Sequence, residues 1–96
     1  MPGAYWISHI TVTDPEAHGA YAKAAGPVFA QFDGKILARG SRYVTLEGKE
    51  RGRHVVIWFP SLEQAEACYR SAAYQAAVAL TKGTSDRDLV IVEAAE

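Results

Sequence analysis

The spacing of apolar residues divides this chain into segments of two kinds, which alternate along its length. Where β-branched and aromatic residues dominate, we predict strands. Where apolar residues recur every three or four positions, we predict amphipathic helices. The predicted order is β-α-β-β-α-β, with strands at 5–13, 35–47, 53–59 and 88–94 and helices at 15–32 and 62–82.

Local signals predict where the first helix begins, bends and ends. Asp14 can cap it, with Pro15 at the first helical position. Gly26-Pro27 predicts a kink or a brief break, because proline removes a backbone donor and crowds the preceding turn. Gly34 is expected to take the left-handed conformation that stops the helix.

Serine and glycine residues mark irregularities in the other segments. Ser61, followed three residues later by Gln64, predicts a capping box at the start of the second helix. Ser71 predicts a second cap or a kink within it. Gly40-Ser41 predicts a bulge or bend in the long second strand.

The order of elements predicts one α+β domain spanning residues 1–96. Two split β-α-β units give a ferredoxin-like sandwich, a four-stranded antiparallel sheet with two helices on one face. The inner strands nevertheless look apolar on both faces: Tyr5 and Ile7 alternate with Trp6, and Ile57 alternates with Trp58. Because helices cover only one face, we expect a second copy to cover the other, giving a homodimer that pairs through its sheet faces.

Composition excludes several classes of partner. The net charge of −1 gives no general attraction to nucleic acid or anionic membranes. The longest apolar run, Val55–Phe59, is far too short to cross a bilayer, and no leader pattern opens the chain, so we expect a cytoplasmic protein. Cys68 is the only cysteine and cannot form an internal disulfide. We interpret it as a small buried hydrophobe, with a reactive thiol as the alternative.

Several stretches together resemble a known family. "FPSLEQAEACYRSAAYQAA" is similar to the second-helix signature of domain-of-unknown-function family 1330, and "YWISHITVTDPEAHGAYAKAA", "FDGKILARG" and "DRDLVIVE" also fit. That family belongs to the dimeric α/β-barrel superfamily, so the resemblance implies ferredoxin-like protomers paired sheet to sheet. It implies no activity. Relatives in the superfamily include cofactor-independent monooxygenases, haem-degrading enzymes and ligand-sensing domains.

His9 and Arg39 are the candidate catalytic residues. His9, in the first strand, could act as a base or bind an anion, although a mid-strand histidine is more often structural. Arg39 could direct its planar guanidinium at a carboxylate or phosphate; the alternative is a surface ion pair. His54 is expected to be exposed and His18 to face solvent. The three histidines have no zinc-like spacing, so we predict no metal site.

Four aromatic residues are candidate ligand-binding residues. A pocket lined by them would suit a flat, apolar ligand, with His9 or Arg39 holding a polar group, but a plain core role is the alternative. These residues are Phe32, Trp58, Tyr69 and Tyr74. Nucleotide and flavin fingerprints are lacking, and we predict no cofactor. Arg51 and Arg53 are expected to be solvated charges beside the hairpin.

Two functions fit these observations. The first is a homodimer that binds a small apolar or aromatic ligand between sheet and helices without catalysis. The second is a cofactor-independent enzyme of the monooxygenase or isomerase type, acting on a small aromatic or carbonyl compound. In the second, His9 takes a proton while Arg39 or a tyrosine stabilises the oxyanion. Only the second needs His9 to line the pocket.

Overall fold

The computed structural model describes residues 2–40 and 42–95. These form one antiparallel sheet in the strand order β2-β3-β1-β4, together with three helices, and the predicted ferredoxin-like fold is confirmed. The elements are β1 (Ala4–Val12), α1 (Pro15–Gln31), β2 (Lys35–Gly40), β3 (Arg53–Phe59), α2 (Leu62–Arg70), α3 (Ala72–Ala79) and β4 (Ser85–Glu93). No helix within this part of the chain is long and apolar enough to cross a membrane.

The predicted second helix is two helices that meet at Ser71. Ser71 is extended, with φ −65° and ψ 148°, so it both ends α2 and caps α3. Its hydroxyl donates to the Cys68 carbonyl at 2.7 Å and accepts the Tyr74 amide at 3.1 Å. Ser71 therefore satisfies backbone groups on both sides of the break, which explains the third helix.

The caps of α1 differ from the prediction at one end. Asp14 accepts the amides of Glu16 and Ala17, both at 3.1 Å, as predicted. The helix then continues through Pro27 without a break. Asp33, with φ 63°, takes the left-handed conformation expected of Gly34. Gly34 is required for a different reason: a Cβ there would lie 2.8 Å from the Phe59 ring.

The second strand is shorter than predicted and bulges elsewhere. It ends at Gly40, which pairs with His54 near the start of β3. Residues 43–47 form no strand despite their apolar pattern, and only one residue of β3, Arg53, lies beyond His54. A register shift lies between Ile36 and Ala38, whereas the bulge or bend predicted at Gly40-Ser41 falls partly on Ser41. Ser41 itself lies outside the described residues.

The two faces of the sheet are covered unequally. The helix-covered face carries Trp6, Ile57 and Phe59, each at most 1% exposed, and they pack with aromatic residues of the helices. The opposite face, called here the open face, also carries apolar side chains, and Val90 and Val92 on it are 56% and 46% exposed. Ile7 and Val56 also pair on the open face, which confirms the prediction that the inner strands β1 and β3 are apolar on both faces.

Candidate functional site

A cavity of about 60 Å³ lies between α1 and the helix-covered face of the sheet. Helix α1 contributes Tyr21, Ala25 and Phe29 to its wall, and the sheet contributes Trp6 and other side chains of β1, β2 and β3. Sequence spacing explains this arrangement. Positions 21, 25 and 29 recur every four residues on one helical face, and alternate strand residues share one sheet face.

Basic side chains from three elements line this cavity. His18 from α1, Arg39 from β2 and Arg53 from β3 line it, whereas no aspartate or glutamate among the described residues does. The Nε of Arg53 is buried and has no hydrogen-bond partner in residues 2–40 and 42–95. Burial, followed by the charges of Arg53 and Arg87, lowers the pKa of His18 below its usual value of 6.5. This environment therefore favours the neutral form of His18.

Two tyrosine hydroxyls and an arginine form a hydrogen-bonded cluster beside the cavity. The hydroxyls of Tyr21 and Tyr74 lie 2.7 Å apart, and Arg87 Nη1 donates to them at 3.2 and 2.9 Å, respectively. Burial, with a smaller effect of Tyr21, raises the pKa of Tyr74 well above its usual value despite the opposing effect of Arg87. Tyr74 thus stays a neutral hydrogen-bonding group, and the hydrogen bonds of this cluster hold α1 and α3 to β4.

On the open face, two histidines form a pair. His9 and His54 are register partners on β1 and β3, and their Nδ1 atoms lie 2.7 Å apart. The Nε2 of His54 lies 3.1 Å from the Arg51 carbonyl, which can only accept. A neutral His54 therefore carries its proton on Nε2, and His9 Nδ1 donates to His54 Nδ1.

Arg51 anchors the chain segment beside this histidine pair. Its side chain is 6% exposed, and it donates to the Asp86 carbonyl at 2.7 Å and to Asp88 Oδ2 at 3.0 Å. The expectation that Arg51 is a solvated charge is wrong. The reason is that β4 pairs with β1. This pairing brings the Asp86 carbonyl and the Asp88 carboxylate of β4 next to the connection between β2 and β3, which carries Arg51.

The sheet separates the two predicted catalytic residues. His9 lies on the open face, and Arg39 pairs with Val55, whose side chain lines the cavity on the other face. The predicted aromatic residues are also divided. Trp58 shares the open face with its register partner Tyr5, whereas Phe32, Tyr69 and Tyr74 pack in or against the helix-side core.

The structure brings Tyr69 and Tyr74 together with Trp6, at ring-centroid distances of 5.9 and 5.1 Å. Neither tyrosine lines the cavity, and neither do Phe32 or Trp58. Within the protomer the four aromatic residues therefore do not enclose one pocket. Their role in binding a ligand stays a prediction.

Of the three basic residues that line the cavity, sequence reasoning missed two, His18 and Arg53. His18 was expected to face solvent, but it is half-buried and its ring lies 5.7 Å from that of Tyr21. Their spacing of three residues on a helix could have indicated this. Arg53 alternates with Val55 and Ile57, which identifies its face once β3 is placed. In the described ranges, no three histidine, cysteine, aspartate or glutamate side chains form a group that could hold a metal.

Comparison with solved structures supports the fold. A protein of unknown function from Rhodopseudomonas palustris, RPA0582, superposes with a TM-score of 0.82 and 19% identity, covering 99% of this chain and 84% of that one. A dimeric ferredoxin-like protein of unknown function from Bacteroides fragilis gives 0.67 and 12%, covering 96% of both chains. SnoaB, a cofactor-independent oxygenase from Streptomyces nogalater, gives 0.71 and 9%, covering 100% of this chain and 96% of that one.

Comparison of sequences identifies the family. No protein with a curated function matches the chain significantly. The family model described as "Domain of unknown function (DUF1330)" matches residues 3–95, almost the whole sequence, which confirms the resemblance drawn from the residues. The chain therefore belongs to the DUF1330 family.

Proposed function

We propose that this chain forms a homodimer and binds a small apolar or aromatic ligand in the cavity between α1 and the sheet. The observation that carries the proposal is the cavity itself, a partly open space whose aromatic and aliphatic walls and few polar groups resemble the lining of ligand sites generally. Its volume of about 60 Å³ admits a compact molecule. An aromatic compound requires side chains of α1 to move outward.

A matched pair of cavity variants tests this proposal. Ala25 is fully buried and lines the cavity, whereas its neighbour Ala24 is exposed. We expect small ketones, phenol or short carboxylates to perturb amide NMR signals around the cavity of the wild type. Ala25→Val fills the space and abolishes the effect, while Ala24→Val preserves it. Binding that is unchanged in a folded Ala25→Val variant would place the ligand elsewhere and refute the proposal.

The homodimer is proposed from the open face. Ile7, Val56 and Val90 lie side by side across three strands of that face, where an apolar surface otherwise meets water. A protein with this fold is described as dimeric, which supports a second copy as the cover. The cytoplasmic location and the lack of nucleic-acid and membrane partners stay predictions from the sequence.

Light scattering with size-exclusion chromatography tests the dimer. Val90→Glu places a charge on the open face and should give a monomer, because an unpaired charge in an apolar interface is costly. Leu80, 48% exposed just after α3, provides the control, and Leu80→Glu should remain dimeric. If Val90→Glu stays dimeric, the sheet faces are not the interface.

A cofactor-independent enzyme of the monooxygenase or isomerase type, acting on a small aromatic or carbonyl compound, is the second candidate. The observation favouring it is that the imidazole of His18 lines the cavity together with Arg53, in surroundings that lower its pKa. The imidazole can take a proton from a carbon next to a carbonyl, while a guanidinium stabilises the oxyanion that develops. His9, the base predicted from the sequence, could act only on a molecule bound at the open face.

Deuterium exchange tests this second candidate without knowledge of the product. Proton NMR in D₂O follows whether the protein accelerates exchange of the α-protons of acetone, acetoacetate or pyruvate. If catalysis occurs in the cavity, His18→Gln abolishes it and His9→Gln does not. The reverse result assigns the reaction to the open face, and equal rates with and without protein argue against proton abstraction from these compounds.

A further inference from the structure

We infer that the ligand of the α1–sheet cavity is a small monocarboxylate, bound through its negative charge by Arg53 and Arg39. This inference rests on the proposed binding function and adds the chemical class of the ligand. Three different elements each direct one basic side chain into the same space: α1 with His18, β2 with Arg39 and β3 with Arg53. Arg53 and Arg39 carry like charges that repel each other where they converge, and a bound anion reduces that repulsion.

The contrast between Arg51 and Arg53 supports the inference. Arg51 binds Asp88 and Asp86 with its two Nη nitrogens, although its Nε has no partner among the described residues. Arg53, two residues later and on the other face, makes no ion pair or side-chain hydrogen bond within the described part of the chain, and its Nε is buried. An N–H donor buried without an acceptor is costly, and a carboxylate bound at the Nε of Arg53 removes that cost.

The shape and polarity of the cavity select a carboxylate. Guanidinium groups bind carboxylates through two parallel hydrogen bonds, so Arg53 can hold the anion while Arg39, which is exposed, reaches it from the mouth. The wall behind them is apolar, with Trp6, Val55 and Ile57. A singly charged head with a short apolar body fits this division, whereas a doubly charged phosphate would meet a larger desolvation cost.

Isosteric ligand pairs separate charge from shape. Isobutyrate and isobutyramide, and propionate and propionamide, differ in charge but little in size. We expect titration by NMR to show each carboxylate binding the wild type at least about tenfold more tightly than its amide, since a hydrogen bond to a charged group is stronger by that order. The titrations use the full chain at pH 7 and constant ionic strength.

Substitutions of Arg53 and Arg39 test whether these two arginines recognise the negative charge of the ligand. Arg53→Met keeps an apolar stem and should reduce the preference for carboxylate at least about tenfold, whereas Arg53→Lys should retain part of it. Arg39→Met, at the exposed mouth, should also weaken carboxylate binding and serves if Arg53→Met does not fold. Arg70→Met is the control, because Arg70 lies exposed on α2 in a pair with Glu66.

The outcomes distinguish the inference about the charge of the ligand from the proposed binding in the cavity. Equal binding of carboxylates and amides, lost in Ala25→Val, overturns the inference about charge and leaves the proposed cavity function standing. Carboxylate binding that survives Arg53→Met and Arg39→Met, or that Arg70→Met removes equally, also overturns it. If neither member of any pair binds the wild type, the inference fails; the proposed function fails with it only if the small ketones and phenol also do not bind.

Discussion

The substitution Tyr74→Phe removes the Tyr74 hydroxyl and tests whether the hydrogen bonds of that hydroxyl stabilise the fold. Tyr74 is fully buried, and its hydroxyl lies 2.7 Å from that of Tyr21 and 2.9 Å from Arg87 Nη1. A neutral hydrogen bond contributes roughly 0.5–1.5 kcal/mol and one to a charged group roughly 1.5–3 kcal/mol. Because Arg87 keeps Tyr21 as a partner, we expect Tyr74→Phe to lower the free energy of unfolding by about 2 kcal/mol.

Urea unfolding, followed by tryptophan fluorescence at pH 7 and one fixed protein concentration, measures this change. Tyr69→Phe is the control: its hydroxyl makes no hydrogen bond in the described ranges, so we expect a loss under about 0.5 kcal/mol. A double-mutant cycle with Tyr21→Phe should show non-additive losses, because the two hydroxyls share one network. A loss under about 0.5 kcal/mol for Tyr74→Phe, or strictly additive losses, would refute the reasoning.

Three further predictions concern stability and reactivity. In urea unfolding, Gly34→Ala should lower the free energy of unfolding by about 1–3 kcal/mol, because the new Cβ would lie 2.8 Å from the Phe59 ring. The control Gly19→Ala, inside α1, should raise it by up to about 1 kcal/mol, because a Cβ there meets no atom within 4 Å. The opposite order of stabilities would contradict the packing argument. Cys68 should react with Ellman's reagent only at the rate of unfolding, since it is fully buried and burial raises the pKa of its thiol to about 11; rapid labelling of the folded protein would show otherwise. The free energy of unfolding should fall as the pH drops from 6.5 through the lowered pKa of His18, because in this range the unfolded chain binds more protons than the folded protein does. In a pH series, His18→Gln should show a smaller fall than the wild type.

Local sequence signals predicted those parts of the fold whose causes lie within a few residues. Asp14 caps α1 through amides two and three positions ahead, and Ser71 caps α3 in the same way. Ser61 also accepts the Gln64 amide at 3.1 Å. The Gln64 side chain does not complete the predicted capping box, however. It donates to the Phe32 carbonyl at 2.7 Å, a partner thirty-two residues away that no local pattern could supply.

The candidate site was predicted less well, because it depends on contacts between distant segments. Arg39 does line the cavity, but His9 does not. Period-two alternation showed that Trp6 and Tyr5 occupy opposite faces without showing which face the helices cover. Arg53 was assigned to solvent from its position beside a polar loop, yet its alternation with Ile57 carries its side chain to the helix-covered face.

The sequence by itself determined the order of the elements, most of their ends and the presence of two apolar sheet faces, since these follow from spacing, backbone preference and caps. Tertiary structure alone decided that β2 stops at Gly40, that His9 meets His54, and that His18 joins two arginines in one cavity. The physical reason is that strand pairing and helix placement fix these neighbours. A charge such as that of Arg53 is exposed or buried according to what lies across from it, not according to the residues beside it in the chain.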